Sequence, residues 1–333
     1  MTQTFVIAEA GANHNQNPEQ AFKLIDVAAE AGADACKFQT YSADKLFSTK
    51  SKKVNGYDVL TRFKGLELPR NWHQPLKEYC DFKNIEFMST PFDEAAVDEL
   101  YKVGVKRFKV AGFESTDLRF IKYVASTQLP IIVSAGIGTT VDWIGEILST
   151  CYQVGCTDVT ILHCNNGYPT SVDETNLLTI PDILFNHDIT VGYSDHTEDT
   201  LTPALAVMLG AKVIEKHFTL SRKLPGPDHG FALEPAQLKE MIQNIRHAEK
   251  TLSFKKGLTI SEEASFQGQR SLVTKRKLLK GEIITELNTT TKRPYYSGNV
   301  NAKEYFYITE GKFRAKQDIE EDDFIRWDQI ESL

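Results

Sequence analysis

The sequence predicts an α/β chain: a (β/α)8 TIM barrel followed by a small, mostly β domain. Three observations carry that expectation. Short apolar runs alternate with amphipathic helical segments eight times over about 250 residues, and eight is the number that closes a barrel. An open doubly wound sheet uses fewer strands, and no Gly-x-Gly-x-x-Gly follows the first one. Two of the apolar runs end in ionisable residues: Thr190-Val-Gly-Tyr-Ser-Asp-His-Thr197 and Val213-Ile-Glu-Lys-His-Phe-Thr219. Buried parallel strands finish this way when their ends open into a site. Beyond residue 269 the texture changes to short apolar pieces separated by turns. The expected organisation is a barrel over 1–252, a linker over 253–269 and a second domain over 270–333.

The elements follow in order. Residues 4–10 read as the first strand. Pro18 and Glu19 open a helix to Ala31, with Phe22, Ile25, Ala28 and Ala29 on one face and Gly32 as its cap. Residues 35–41 are the second strand. A polar loop over 42–66 carries the Asn55-Gly56 turn signal, and loops of this length in compact domains are usually functional. A helix over 68–83, a strand over 85–90 and a helix over 91–103 come next. Strands at 107–112, 130–135, 158–164, 189–194 and 211–218 alternate with helices at 117–126, 140–154, 173–185 and 198–209. A Pro- and Gly-rich loop at 224–230 precedes a last helix over 234–252.

Composition narrows the function class. The net charge of -7 argues against nucleic acid or an anionic membrane surface as partner. Five cysteines, an odd number without framework spacing, read as reduced thiols of a cytoplasmic protein. The start has no basic region leading into an apolar run, as a signal peptide would. No segment approaches a membrane span.

In a barrel one parity of each strand faces inward, and functional groups collect at the C-terminal ends. That parity is expected to present Glu9 on strand one, Lys37 and Gln39 on strand two, and Arg107 and Lys109 on strand four. Strand six is expected to present Ile161, His163 and Asn165, and strand eight Glu215 and His217. Charges inside apolar strands are costly unless they meet each other, a metal or a ligand. Lys37 and Lys109, with the hydroxyls of Thr90, Ser134 and Ser194, suit a small phosphorylated anion. His196 and His217 suit a divalent cation acting as Lewis acid, or are two separately satisfied histidines. Glu9, Asp195, Glu215 and Asp228 are candidate acid–base groups. A Schiff-base aldolase using Lys37, Lys109 or Lys216 stays open on the same residues.

Eight ordered segments resemble the sialic acid synthase family: IAEAGANHN (7–15), KFQTY (37–41), STPFD (89–93), FKVAGFE (108–114), LHCNNGYPT (162–170), VGYSDHT (191–197), EKHFT (215–219) and GPDH (226–229). Residues 270–272 and 292–294 resemble that family's antifreeze-like (SAF) domain. The resemblance implies a synthase joining phosphoenolpyruvate to an N-acyl amino sugar. It implies metal ligation by His196 and His217, with manganese first and magnesium or cobalt as alternatives. Lys37, Thr90, Lys109, Asn166, Ser194 and His217 are implied to line the phosphoenolpyruvate pocket. Gln39, Asn55, Glu114, Tyr168 and Asp228 are implied to meet the sugar, and Glu114 joins the candidate catalytic set. A domain-swapped homodimer is implied, in which Arg293 reaches the partner's site. The acceptor is expected to be N-acetylmannosamine. Its 6-phosphate and the 6-deoxy diacetamido sugars leading to legionaminic or pseudaminic acid are the alternatives, and a carbohydrate-binding protein without activity ranks below them. One departure stands out: the family's phosphate-contacting Ser after Lys109 is Gly112 here.

Overall fold

Eight parallel strands form one sheet in the computed structural model, which describes residues 3–48, 50, 59–252 and 256–333. They are β1 Phe5–Gly11, β2 Ala35–Thr40, β3 Glu86–Pro91, β4 Phe108–Val110, β5 Ile131–Ala135, β6 Val159–Cys164, β7 Thr190–Asp195 and β8 Val213–His217. The hydrogen-bonded order is β3-β2-β1-β8-β7-β6-β5-β4, so the first strand pairs with the last. β3 and β4 pack side by side and complete the ring. This is the expected barrel.

Two apolar layers hold it. One lies between sheet and helices, with Val6, Phe38, Phe108, Ile161 and Tyr193 among its members. The other fills the barrel's interior with Ile7, Ala35, Met88, Ile132, Leu162 and Val213. The helix Pro18–Ala31 illustrates the outer layer. The Asn17 side chain caps its first turn, and Gly32 closes it in the left-handed region at φ 88°. It buries Ala21, Leu24, Ile25 and Ala28. Burial of Leu24 or Ile25 contributes about 1.5–3 kcal/mol. No described helix is long and apolar enough to cross a membrane.

Among the described residues the loop expected over 42–66 holds two short helices, Ala43–Leu46 and Val59–Lys64, and three further segments differ from expectation. The segment expected as a helix over 173–185 is a 3-10 turn, Val172–Glu174, then a helix Thr179–Asn186. Between them Asn176 sits at φ 47°, which an α-helix does not admit. The helix expected from 198 starts at Thr202, because Asp199 accepts from the N–H groups of Leu201 and Thr202. In the second domain, expected to be mostly β, Tyr305–Thr309 is a short helix that buries Ile308 and Thr309.

The chain divides into two units, 1–253 and 254–333. The second is built of β9 Ser271–Thr274, β10 Ile283–Thr285, β11 Thr289–Lys292, β12 Glu310–Ala315 and β13 Ile330–Ser332. They form the sheets β10-β12-β13 and β11-β9 around Leu272, Ile284, Val300, Ile308, Ile319 and Ile325. Of the stretch read as a linker over 253–269, the described residues 256–269 are partly structured and belong to this unit. It holds a helix Ile260–Glu263 with a Thr259/Glu262 capping box. Phe266 meets the Tyr295 ring, and Tyr295 N–H donates to Gln267 O. Its apolar groups are exposed, so no burial pattern marked it in the sequence.

Candidate active site at the barrel mouth

Side chains alternate along a strand with a period of two. Two residues beyond the six apolar interior positions stand Glu9, Lys37, Thr90, Ser134, Cys164 and Glu215, all buried. Lys109 and Ser194 join them from β4 and β7. A polar layer therefore rests on an apolar one at the strands' C-terminal ends.

Four charges alternate across this layer. Lys37 Nζ lies 2.7 Å from Glu9 Oε2 and 3.6 Å from Glu215 Oε2, and Lys109 Nζ lies 3.5 Å from Glu215 Oε1. Lys37 also donates to Thr90 Oγ1 at 2.9 Å, and Gln39 donates to Glu9 Oε1 at 3.0 Å. Ser194 donates to Glu215 Oε1 at 3.1 Å, while Ser134 Oγ is buried without a partner among the described residues. Burial pushes Glu9 up to about 7 against the pull of Lys37. Burial also acts on Glu215, but Lys109 and Lys37 together hold it below the usual carboxylate range. Burial pulls Lys109 down against Glu215, whereas Glu215 and Glu9 overcome burial at Lys37 and raise it. Two lysines are thus held by carboxylates that an incoming anion can replace.

The histidines stand above this layer. His196 Nδ1 donates to Asn165 O at 2.7 Å, which leaves Nε2 with its lone pair. His217 Nδ1 is buried and has no partner among the described residues. The ring centres are 5.3 Å apart. Burial lowers both, His217 further because His196 is beside it, so both imidazoles are neutral, the form that ligates a cation. The Tyr168 ring lies 4.3 Å from His196 and 5.5 Å from Phe231, forming an aromatic wall. Asp228 arrives over Gly11. A Cβ there would stand 2.8 Å from Asp228 Oδ2 and 3.4 Å from Glu9 Oε1, and Gly11 has φ 52°, so only glycine admits this approach.

Asn166 joins two neighbouring loops: its Oδ1 accepts from Ile137 N–H at 2.8 Å, and its Nδ2 donates to Tyr168 Oη at 3.2 Å. A Cβ on Gly112 would stand 2.8 Å from Asn166 Oδ1 and 3.0 Å from Nδ2. The carboxamide occupies the space that a serine at 112 would need.

Several expected residues lie elsewhere. Asp195 faces away from the interior, toward the helices. Its oxygens are taken by Lys216, Tyr193 and Thr197, so it is not an acid–base group of the mouth. Lys216 points the same way and is removed as a Schiff-base candidate. On β6 the parity is the reverse of that expected: Leu162 and Cys164 face inward, while Ile161 joins the outer core and His163 bonds to Thr175 O. Cys164 is the residue missed. Only the parity of β6 identifies it as a member of the polar layer at the mouth, and burial pushes its thiol up to about 11. Arg107 sits two residues before Lys109 and pairs with Glu86 beneath the Phe5 ring, away from the mouth. Asn55 lies outside the described residues. Arg293 is exposed on the second unit, just after β11.

Glu114 lies on the 3-10 turn Gly112–Glu114 after β4, its Oε2 buried and unpartnered among the described residues. Burial pushes it up to about 7. The folded state holds this proton more tightly than the unfolded state does. The destabilisation from ionising it is therefore complete above about 7 and vanishes as pH falls through the unfolded value near 4.5. Glu114→Gln is expected to be more stable than the parent at pH 8, by on the order of 2 kcal/mol, and to lose that advantage by pH 5. Thermal melts across this range measure it; parallel curves would place the carboxylate in water.

The comparisons agree with this geometry. A profile of the NeuB family matches residues 24–257. The spore coat polysaccharide biosynthesis protein SpsE of Bacillus subtilis is 38% identical over 350 residues, covering 98% of this chain and 93% of its own. The N,N'-diacetyllegionaminic acid synthase of Campylobacter jejuni is 38% identical over 338 residues, covering 98% of this chain and 100% of its own. The crystal structure of N-acetylneuraminic acid synthetase from Leptospira borgpetersenii has a TM-score of 0.73 at 31% identity, over 79% of this chain and 90% of that one. An eight-stranded barrel with paired lysines and paired histidines at its mouth, matched along nearly its whole length by such relatives, belongs to the NeuB family.

Proposed function

We propose that this chain condenses phosphoenolpyruvate with the open-chain aldehyde of an N-acyl amino sugar, giving a nonulosonic acid and phosphate. C3 of phosphoenolpyruvate bonds to the aldehyde carbon, water adds at C2, and the C2–O bond to phosphate breaks. The observation that carries this reading is the alternating Glu9–Lys37–Glu215–Lys109 row directly beneath two neutral histidines.

Lys37 and Lys109 hold the carboxylate and phosphate of the anion, with Thr90, Ser134, Ser194 and Asn166 donating beside them. The anion displaces Glu215 and Glu9 from the ammonium groups. Glu9, whose carboxyl burial already raises above the usual range with Lys37 beside it, is suited to carry a proton to or from the water that adds. Gln39, Glu114 and Asp228 line the side toward the sugar, and the Tyr168 and Phe231 rings exclude water from it. Among the described residues no group of three His, Cys, Asp or Glu is placed to hold a metal. His196, with Nε2 left free by the bond of Nδ1 to Asn165 O, and the buried His217 beside it would hold a divalent cation, manganese first, with its other positions left to water and substrate. When bound, it supplies a Lewis acid for the aldehyde oxygen.

The acceptor was expected from sequence to be N-acetylmannosamine. Its 6-phosphate and the 6-deoxy diacetamido sugars stand beside it in the test, and a relative at 38% identity is named an N,N'-diacetyllegionaminic acid synthase. With phosphoenolpyruvate, manganese and each sugar in turn, phosphate release is expected with one N-acyl amino sugar above the rest. No release with any of them would overturn the reading. The enzyme is proposed to work in the cytoplasm as a homodimer with Arg293 acting across the interface. Arg293→Ala is expected to raise the KM for sugar and spare that for phosphoenolpyruvate. Mixed with a His217→Ala chain it should recover activity at about a quarter of the sites, since half the dimers are mixed and each has one intact site. No recovery, with subunit exchange demonstrated, would place Arg293 in its own chain's site.

Gly112 supplies a further prediction. Gly112→Ser is expected to weaken phosphoenolpyruvate saturation rather than strengthen it, because the new side chain displaces Asn166 from Ile137 and Tyr168. Gly112→Ser with Asn166→Ala is expected to be better than the sum of the two single effects, as coupled neighbours are. Additive KM changes would separate the two residues.

A further inference from the structure

The face of the sheet turned away from the mouth carries a buried ion pair that the reaction does not use. Lys216 Nζ lies 2.6 Å from Asp195 Oδ2, 2.5 Å from Thr197 O and 3.0 Å from Thr197 Oγ1. Both charged side chains are at most 1% exposed. Asp195 Oδ1 accepts from Thr197 N–H at 2.8 Å and from Tyr193 O–H at 3.2 Å, and Thr197 Oγ1 bonds to Asp195 Oδ2 at 3.0 Å. All three donors of the ammonium are used, and both carboxylate oxygens are occupied.

These residues bracket the histidines. Asp195 and Thr197 flank His196, and Lys216 directly precedes His217. Strand alternation sends Asp195 and Lys216 to one face and the imidazoles to the other. One ammonium therefore ties both neighbours of His196 to the residue before His217. Apolar residues packed in the same volume would hold the strands together without the desolvation that a buried pair suffers. What an apolar contact does not supply is direction: three bonds to two residues leave the loop after β7 a single arrangement.

We propose that Lys216 is a positioning residue. Through Asp195 and Thr197 it sets the separation and tilt of the two imidazoles, 5.3 Å and 47° between rings, and thereby the affinity of the cation site. This rests on the metal reading of His196 and His217 given above. It concerns binding by the enzyme without substrates, so it is measured apart from turnover.

The test is manganese binding to the full chain, followed by titration calorimetry and by the paramagnetic signal of free ion. Lys216→Met is expected to bind manganese about 10–100-fold more weakly, as loss of support around a metal ligand typically does. Thr197→Val keeps the shape and the ion pair but removes the hydroxyl, and a several-fold loss is expected. It carries the test should Lys216→Met fail to fold. Ile245→Ala, which leaves a cavity in the outer core beneath the helix Pro235–Thr251, is the control for general loosening. It should lower the melting temperature and leave manganese affinity unchanged. Unchanged affinity in Lys216→Met or, should that variant not fold, in Thr197→Val would overturn the proposal. So would an equal loss in Ile245→Ala. A parent chain that does not bind manganese, or a His217→Ala chain that binds it as the parent does, would instead remove the metal reading itself.

Discussion

His217→Ala is expected to lower turnover below about 1% of the parent and to abolish manganese binding. Supporting residues around a metal ligand typically account for 10–100-fold in affinity or activity, and a direct ligand for more. With two imidazoles available, loss of one leaves a single nitrogen donor, too few to retain a divalent cation against water. His217 is also buried, and its removal opens the space between Tyr168 and Phe231. Exhaustive chelation of the parent should give the same loss, and manganese, magnesium or cobalt should reverse it. The variant should not respond to added metal. Phosphate release with phosphoenolpyruvate and the preferred sugar is the readout. Full activity in chelated His217→Ala would sink the metal mechanism.

Lys37→Met is expected to damage both stability and anion binding. Lys37 is the cation shared by Glu9 and Glu215, and all three side chains are almost wholly buried. Removing one member of a buried ionic group typically costs about 3–5 kcal/mol, because the remaining charge is left uncompensated. For a unit of this size that lowers the melting temperature on the order of 10 °C. The KM for phosphoenolpyruvate should rise as well, by roughly 10–150-fold, the equivalent of one charge-assisted bond of about 1.5–3 kcal/mol. Lys37→Met with Glu9→Gln separates the two effects. It should regain much of the stability, since one buried charge is gone, and should not regain phosphoenolpyruvate affinity. A double variant with normal saturation would make Lys37 a structural lysine.

The legible part of this site follows a simple pattern. In β1, β2 and β8 an apolar residue is followed two positions later by an ionisable one: Ile7 and Glu9, Ala35 and Lys37, Val213 and Glu215. In β1 and β2 that contrast names the inward face without any structure, whereas in β8 Ile214 and Lys216 repeat it on the outward face. β6 shows the same contrast on the opposite face: Ile161 is followed by His163, yet the strand is buried on both faces and His163 bonds to Thr175 O, so the face assigned from sequence was the wrong one. Asp195 misled differently. An ionisable residue at a strand end marks the mouth, but the strand's register sent this one to the back, where Lys216 was waiting.

By itself the sequence determined the number of strand–helix units, the change of texture into the second unit and most of the charged inventory at the strand ends. These depend on periodicity and composition, which are local. The resemblance contributed the reaction class and Arg293, which no local pattern marks. Only the tertiary structure decided which face of β6 is interior, why glycine stands at 112, and that the Asp195–Lys216 pair lies behind the two histidines. Each of these depends on which atoms of distant segments meet when the ring closes. A side chain's chemistry is written in its own position, whereas its partner, and hence its task, is set by the packing of other strands around it.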